Sequence, residues 1–540
     1  MTDIAATAVH DAPHADAKPK LDTKITPATV IIFVGLLAAG VLFTSYSLYS
    51  DVSETGTRAT TWLPFLLLGI ALLVALGFEF VNGFHDTANA VATVIYTHSL
   101  PPHFAVVWSG TWNFIGVLVS TGAVAFGILS LLPVELILQV GSDAGFAMVF
   151  ALLIAAIIWN IGTWYLGLPA SSSHTLIGSI IGVGLANQLM APAGHATSGV
   201  DWGQALNVGK SLLLSPLVGF FAAALLLLVL KAIIRTPELY KAPRGNQPPP
   251  WWIRSLLVLT CTGVSFFHGS NDGQKGMGLI MLILIGTVPT AYALNRAMPD
   301  SQVTQFHALA QVTTQSLAPY GNGVVAPADY REGVGAYVRS HELAPETIPA
   351  LMSLMTGVAD QVTQYGSIAR VPINAVDNVR NDMYLASEAI RLMQKAGNPK
   401  FDDDTNKNLS AFRKSLDGAT KFIPLWVKVA VAIALGLGTM IGWRRIVVTV
   451  GEKIGKSHMT YAQGGAAELV AMGTIAAADM YGLPVSTTHV LSSGVAGTMA
   501  ANKSGLQMST VRNLLMAWVL TLPAAILLSG CLYFIFRHLF

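Results

Sequence analysis

Asn82-Gly83-Phe84-His85-Asp86-Thr87-Ala88-Asn89-Ala90 lies inside an otherwise apolar run over residues 62–96. Its acid and amides stand where a membrane-crossing helix should be hydrocarbon. A carboxylate at that depth costs a few kcal/mol on insertion scales, so it must face a cavity or a partner and marks a candidate functional site. A second polar knot, His268-Gly269-Ser270-Asn271-Asp272-Gly273-Gln274-Lys275-Gly276, interrupts the apolar run over 252–294 and matches the first at Gly83 with Gly269 and Asp86 with Asp272. Two such interruptions in corresponding halves are the sequence signature of a transporter's substrate site.

Composition supports a membrane setting. Hydrophobic residues make up 53% of the 540-residue chain and charged residues only 11%, against about 25% charged in soluble domains. A formal net charge of +2 is too small to imply a nucleic-acid partner, and no polybasic cluster stands out. Cys261 and Cys531 both lie in apolar segments, so neither a disulfide framework nor a metal-ligand spacing is available.

The segments repeat. A polar tail (1–24) with Lys18, Lys20 and Lys24 precedes an apolar run at 25–49, long enough to span a bilayer and longer than a signal-peptide core. A first transmembrane repeat is expected over 62–234, a Pro-rich linker with Lys241 and Arg244 over 235–251, and a second repeat over 252–295 and 425–540. The intervening 296–424 mixes acids and bases with spaced apolar residues such as Leu351, Leu354 and Met355, the pattern of a small helical extramembrane insert. Gly167-Leu168-Pro169-Ala170-Ser171-Ser172-Ser173-His174 returns as Gly482-Leu483-Pro484-Val485-Ser486-Thr487-Thr488-His489. The fold class expected is therefore an all-α integral membrane protein. It is an inverted-topology repeat of two five-element halves with broken helices, plus one extra N-terminal helix. Five crossings per half force opposite orientations. Lys and Arg fall on one face at the tail, the linker and the loop with Arg444, Arg445, Lys453 and Lys456, leaving Arg58 and Lys210 opposite, so tail and linker are expected in the cytoplasm.

Each polar residue has a bland alternative. Asp86 or Asp272 could cap a broken helix, yet capping needs one such residue and each motif brings several. Lys275 is equally suited to neutralising a buried carboxylate or to touching an anion. The Ser/Thr triplets donate without carrying charge, and Pro169 and Pro484 favour helix starts, whose free amides attract an anion; interhelical bonding of hydroxyls is the alternative. His174 and His489 are read as bonding to backbone in preference to relaying protons, and His85 and His268 stand beside the acids. Glu79, two turns before Asp86, suits a proton carrier or a paired structural group. Glu468 and Asp479 are read as helix-interface or helix-end residues.

The motifs Gly83 to Ala90, Gly269 to Gly276, Pro169 to His174 and Pro484 to His489, with the stretches 155–164, 438–455 and 516–530, closely resemble the inorganic phosphate transporter (Pit) family, and within it the bacterial low-affinity PitA type. The resemblance covers nearly the whole chain from residue 62. It implies symport of phosphate with a cation, a ligand held between inverted halves, a homodimer, and the bacterial cytoplasmic (inner) membrane. Phe84-His85 and Gln274-Lys275 depart from the family's commonest Ala-Asn pairs and resemble the proton-coupled type.

The function expected is secondary import of inorganic phosphate by proton symport, with phosphate carried as a complex with a divalent metal and no resident cofactor. Asn89, Asn271, Gln274, Ser171, Ser172, Ser173, Ser486, Thr487 and Thr488 are the expected phosphate contacts, and Asp86, Asp272 and Glu79 the expected proton or cation carriers. No metal ligands are assigned. Sodium coupling and another tetrahedral oxyanion such as sulfate are the alternatives. An intramembrane enzyme built from Ser, His and Asp is disfavoured, because twin hydroxyl triplets duplicate the site where an enzyme needs one nucleophile.

Overall fold

A computed structural model describes residues 19–21, 26–54, 63–86, 88–138, 142–191, 197, 199–243, 245, 247–299 and 301–539. Asn89 is placed by its backbone alone, and Lys18, Lys24, Arg58 and Arg244 lie outside the described residues. The described chain is helical, with no strand among the described residues. Five of its helices are long and apolar enough to cross a membrane, and two further bent pairs pass the same test of length and composition.

The first half runs α1 (Pro27–Glu54), α2 (Leu63–Asp86), α3 (Ala88–Tyr96), α4 (Pro102–Val119), α5 (Ala123–Leu129), α6 (Val134–Leu138), α7 (Asp143–Tyr165), α8 (Ser172–Leu189) and α9 (Trp202–Ile233). Next come α10 (Trp251–Thr287) and α11 (Pro289–Tyr292). The 296–424 region folds as α12 (Ser301–Leu317), α13 (Tyr330–Ser340), α14 (Thr347–Tyr365), α15 (Val376–Ala396) and α16 (Asp403–Thr420). The chain closes with α17 (Leu425–Gly438), α18 (Arg444–Val448), α19 (Tyr461–Met480), α20 (Thr487–Ala501) and α21 (Met508–Leu539).

The halves interleave. Helix α8 packs on α21 and α20 on α9, while α10 packs on α4 and α17 on α2, so each principal contact has a counterpart with the halves exchanged. Glycine permits the tightest crossings. A Cβ on Gly116 would collide with the Phe266 carbonyl, and one on Gly438 with the Phe80 carbonyl. Without a hydrophobic drive between helices in lipid, such backbone approach is what holds a bundle together.

One element departs from the sequence expectation. The first knot covers the end of α2, described through Asp86, and the start of α3, described from Ala88, with Thr87 outside the described residues. The second lies within α10, which runs unbroken from Trp251 to Thr287. Gly269, Gly273 and Gly276 weaken a helix in isolation. Here they are clasped by Asn113, Val117 and Glu79, and no proline removes an amide.

The five-helix insert has its own core, in which Phe306 meets Phe412 with ring centroids 5.3 Å apart. It is fastened to the bundle by Arg391, which donates to Asp201 at the head of α9 (2.7 Å), and by Arg380, whose guanidinium reaches the Ile137 carbonyl on α6 (3.3 Å). Helix α1 lies along α17, and its Asp51 accepts from the Tyr292 hydroxyl and the Trp426 indole, both at 2.8 Å.

Candidate functional site

The two repeated Gly-Leu-Pro segments each end in a helix start. Ser171 and Ser486 cap α8 and α20, their hydroxyls accepting from the amides of His174 (3.2 Å) and His489 (3.1 Å). Proline cannot continue a preceding helix and fixes the entering backbone, so the next residues of each triplet open a helix at its electropositive end. The Ser173 hydroxyl donates to the Val485 carbonyl (2.7 Å), tying one start to the other.

Between these starts lies a carboxylate. Asp86, 2% exposed, accepts from Ser172 Oγ at 2.6 Å and from Thr488 Oγ1 at 2.7 Å, and lies 2.8 Å from His85 Nδ1. The protein thus places its own anion against both helix N-termini. Asp272 approaches from α10, with Ser172 Oγ 3.5 Å from its Oδ2, so one serine stands between acids from the two halves. Lys275, one turn on, lies 2.7 Å from Asp272 Oδ1, the ion-pair partner its position suggested, and donates to Ser173 Oγ at 2.6 Å. With neither side chain reaching solvent, the ammonium offsets one of the two buried carboxylate charges.

The histidines beside the acids are in contact with them. His85 Nε2 lies 3.1 Å from Thr163 Oγ1, and His268 joins Asn113 Oδ1 (2.6 Å) and lies 3.5 Å from Asp272 Oδ2. Asp86, His268 and Asp272 offer buried ligand atoms within 4.8 Å of one another, a carboxylate–imidazole–carboxylate set that could hold a divalent ion.

The other expected residues divide. Thr487 Oγ1 is buried and has no hydrogen-bond partner among the described residues, as do Asn271 Oδ1 and Glu79 Oε1. Such groups in hydrocarbon call for a ligand, a water or a proton. Asn271 donates to the Leu483 carbonyl (3.1 Å), and Asn82 donates to Glu79 Oε2 (3.3 Å). Gln274 faces another way: it donates to Asp479 (2.8 Å) and the Ser270 carbonyl (2.7 Å) and accepts from the Val124 amide (2.9 Å). With Ser270 also donating to Asp479 (2.6 Å), this cluster locks α10 to α5 and to the end of α19. The side chain of Asn89 lies outside the described residues.

Three arrangements were not evident from sequence. Glu468 is wholly buried and accepts from Thr93 and Thr260. Asp479 is the hub of the Gln274 cluster. The rings of His174 and His489 face each other at 4.6 Å, with His489 stacked on Trp518 at 4.2 Å. His174 Nδ1 and His489 Nε2 are buried and lack hydrogen-bond partners among the described residues. The matched motif position was the available signal for the pair; for Asp479 there was none.

Interleaved halves around a buried charged cluster define a polytopic helical membrane protein of the transporter class. The sequence profile of the phosphate transporter family matches residues 82–529, and the chain belongs to that family. It is 44% identical over 503 residues to the low-affinity inorganic phosphate transporter PitA of Escherichia coli strain K12, covering 87% of this chain and 96% of that protein. It is 42% identical over 489 residues to PitB of the same strain, with the same coverage. Among solved structures, the sodium-dependent phosphate transporter aligns with 88% of this chain and all of its own at 18% identity, with a TM-score of 0.47.

Proposed function

We propose that the protein imports inorganic phosphate, carried as a complex with a divalent metal, by proton symport across the bacterial cytoplasmic membrane. The observation that carries this is the seating of Asp86 on Ser172 and Thr488 at two helix starts. A phosphate oxyanion needs the same donors. Carboxylate and substrate therefore compete until a positive charge draws Asp86 away.

That charge is a proton on the acids or the cargo cation on Asp86, His268 and Asp272. A neutral metal–hydrogen phosphate complex leaves the cluster of two acids and Lys275 with one excess negative charge, which one proton removes. Discharging the site lowers the cost of moving it past hydrocarbon, and coupling follows. Phosphate then takes Ser172, Thr488, Thr487 and Asn271, with Lys275 and Ser173 adjacent. Glu79 supplies a second proton-binding carboxylate. Rocking of one interleaved half against the other alternates access in a repeat of inverted topology.

The test is uptake of labelled phosphate into proteoliposomes under an imposed proton gradient, a sodium gradient, or neither, each with and without magnesium. Acceleration by an inward proton gradient, with loss on metal chelation, is expected. Uptake that follows sodium and ignores protons overturns the coupling, and chelator-insensitive uptake overturns the metal complex.

A further inference from the structure

A cavity of about 290 Å³ opens at the far end of α3, away from the acids. It is walled by Pro101, Pro102 and Pro248 and edged by Lys20, His98 and Arg254, which come from the N-terminal segment, the α3–α4 turn and the first turns of α10. No acidic side chain lines it among the described residues. Arg254 donates through Nε to the Ser99 carbonyl (2.8 Å), and its two terminal amino groups make no hydrogen bond among the described residues. Lys20 likewise contacts no acid among them.

Prolines hold their backbone without side-chain rearrangement, so the walls are set before any ligand arrives. Lys20 and Arg254, which meet no acid among the described residues, concentrate anions around a concave surface, and a guanidinium presents a planar fork that matches phosphate oxygens. The same end of the molecule bears Arg444, whose guanidinium donates to the Leu21 carbonyl beside Lys20. Trp251 and Trp252, 79% and 41% exposed, begin α10 next to the cavity, where tryptophan marks the boundary between lipid and water. Basic pockets at that level suit lipid headgroups.

We infer that Lys20, His98 and Arg254 form a second phosphate-oxyanion site, separate from the acid cluster and facing the cytoplasm. Its occupant is a phosphate monoanion or dianion, carried by an anionic phospholipid or free in solution, and the exposed tryptophans favour the lipid. The site does not depend on the transport reading, since none of its residues touches the acid cluster.

Two measurements on the delipidated full chain decide it. Native mass spectrometry after addition of phosphatidylglycerol or phosphatidylcholine reports the lipid. Acylation of Lys20, read by peptide mapping with inorganic phosphate or chloride at equal ionic strength, reports the free ion. Retention of phosphatidylglycerol over phosphatidylcholine is expected, falling about thirtyfold when both basic residues are replaced (Lys20→Gln with Arg254→Gln). Protection of Lys20 by phosphate without lipid discrimination assigns the site to the free ion. Neither effect overturns it. Should Arg254→Gln disturb folding through the lost Ser99 bond, Lys20→Gln alone decides, because Lys20 makes no hydrogen bond among the described residues.

Discussion

The ammonium of Lys275 stands 2.7 Å from Asp272 Oδ1, and neither side chain is exposed. Removing one member of a buried ion pair leaves an uncompensated charge, at a cost of about 3–5 kcal/mol. Lys275→Met is expected to lower the yield of folded protein by that measure and to abolish phosphate uptake. Adding Asp272→Asn should restore the size-exclusion profile and thermal midpoint without restoring uptake. Recovery of uptake in the double variant would show that the pair serves folding alone.

Ser172 Oγ hydrogen-bonds to Asp86 and stands 3.5 Å from Asp272, bridging the acids of the two halves. A hydrogen bond to a charged group contributes about 1.5–3 kcal/mol. Ser172→Ala should therefore slow initial phosphate uptake by about tenfold or more and lower the thermal midpoint as well. The check is uptake in proteoliposomes normalised to reconstituted protein, with Ser171→Ala beside it as a variant that removes a helix cap and no acid contact.

The paired crossings at Gly116 and Gly438 give a packing test. Each faces a backbone carbonyl that cannot swing aside, so Gly116→Ala and Gly438→Ala should each destabilise by about 1–3 kcal/mol. Gly77 in α2 has nothing within 4 Å of where its Cβ would lie. Gly77→Ala should then be neutral or stabilising, since alanine is the better helix former by about 1 kcal/mol. Thermal unfolding in one detergent compares all three.

The clasp between the insert and α9 titrates in acid. Burial pushes the Asp201 carboxyl up, but the Gln204 amide and the Arg391 guanidinium more than offset this and hold it below its ordinary 3.8. A carboxyl held low contributes stability that is complete above 3.8 and is lost as pH falls through its lower folded value. Hydrogen-exchange protection of α15 should thus be flat from neutral pH down to about 4 and decline below it. Asp201→Asn should reduce protection at neutral pH and flatten the acid decline.

Glu79 offers a direct test of proton coupling. Glu79→Gln keeps the Asn82 contact at Oε and mimics the protonated acid. Phosphate exchange between equal pools should persist, whereas stimulation by an imposed proton gradient should fall. A variant that retains full stimulation removes Glu79 from the coupling set and leaves Asp86 and Asp272.

Much of the site was legible because polar residues in an apolar run are conspicuous. Asp86, Asp272 and the two triplets could be found on that ground, and their recurrence showed that they belong together. Partner choice was hidden. Asp86 and Thr488 are 402 residues apart, and nothing local says that this hydroxyl grips that acid. Gln274 shows the reverse: its place in the second knot suggested the ligand, but tertiary packing turns it towards Asp479. The break at Asp272 was overestimated because polar residues in an apolar run were read as an interruption, whereas the helices packed against α10 hold it continuous through them.

Pairing α8 with α21 also sets an order of assembly. Gly178 and Gly182 fit against Leu522, Ala525 and Ile526, more than 300 residues later in synthesis. Until the closing helix emerges, the hairpin made early in synthesis has a bare seam, and the serine at its tip has no fixed mooring. A nascent chain stalled before residue 508 should be open to degradation from within the bilayer, and a separately expressed α21 should rescue it.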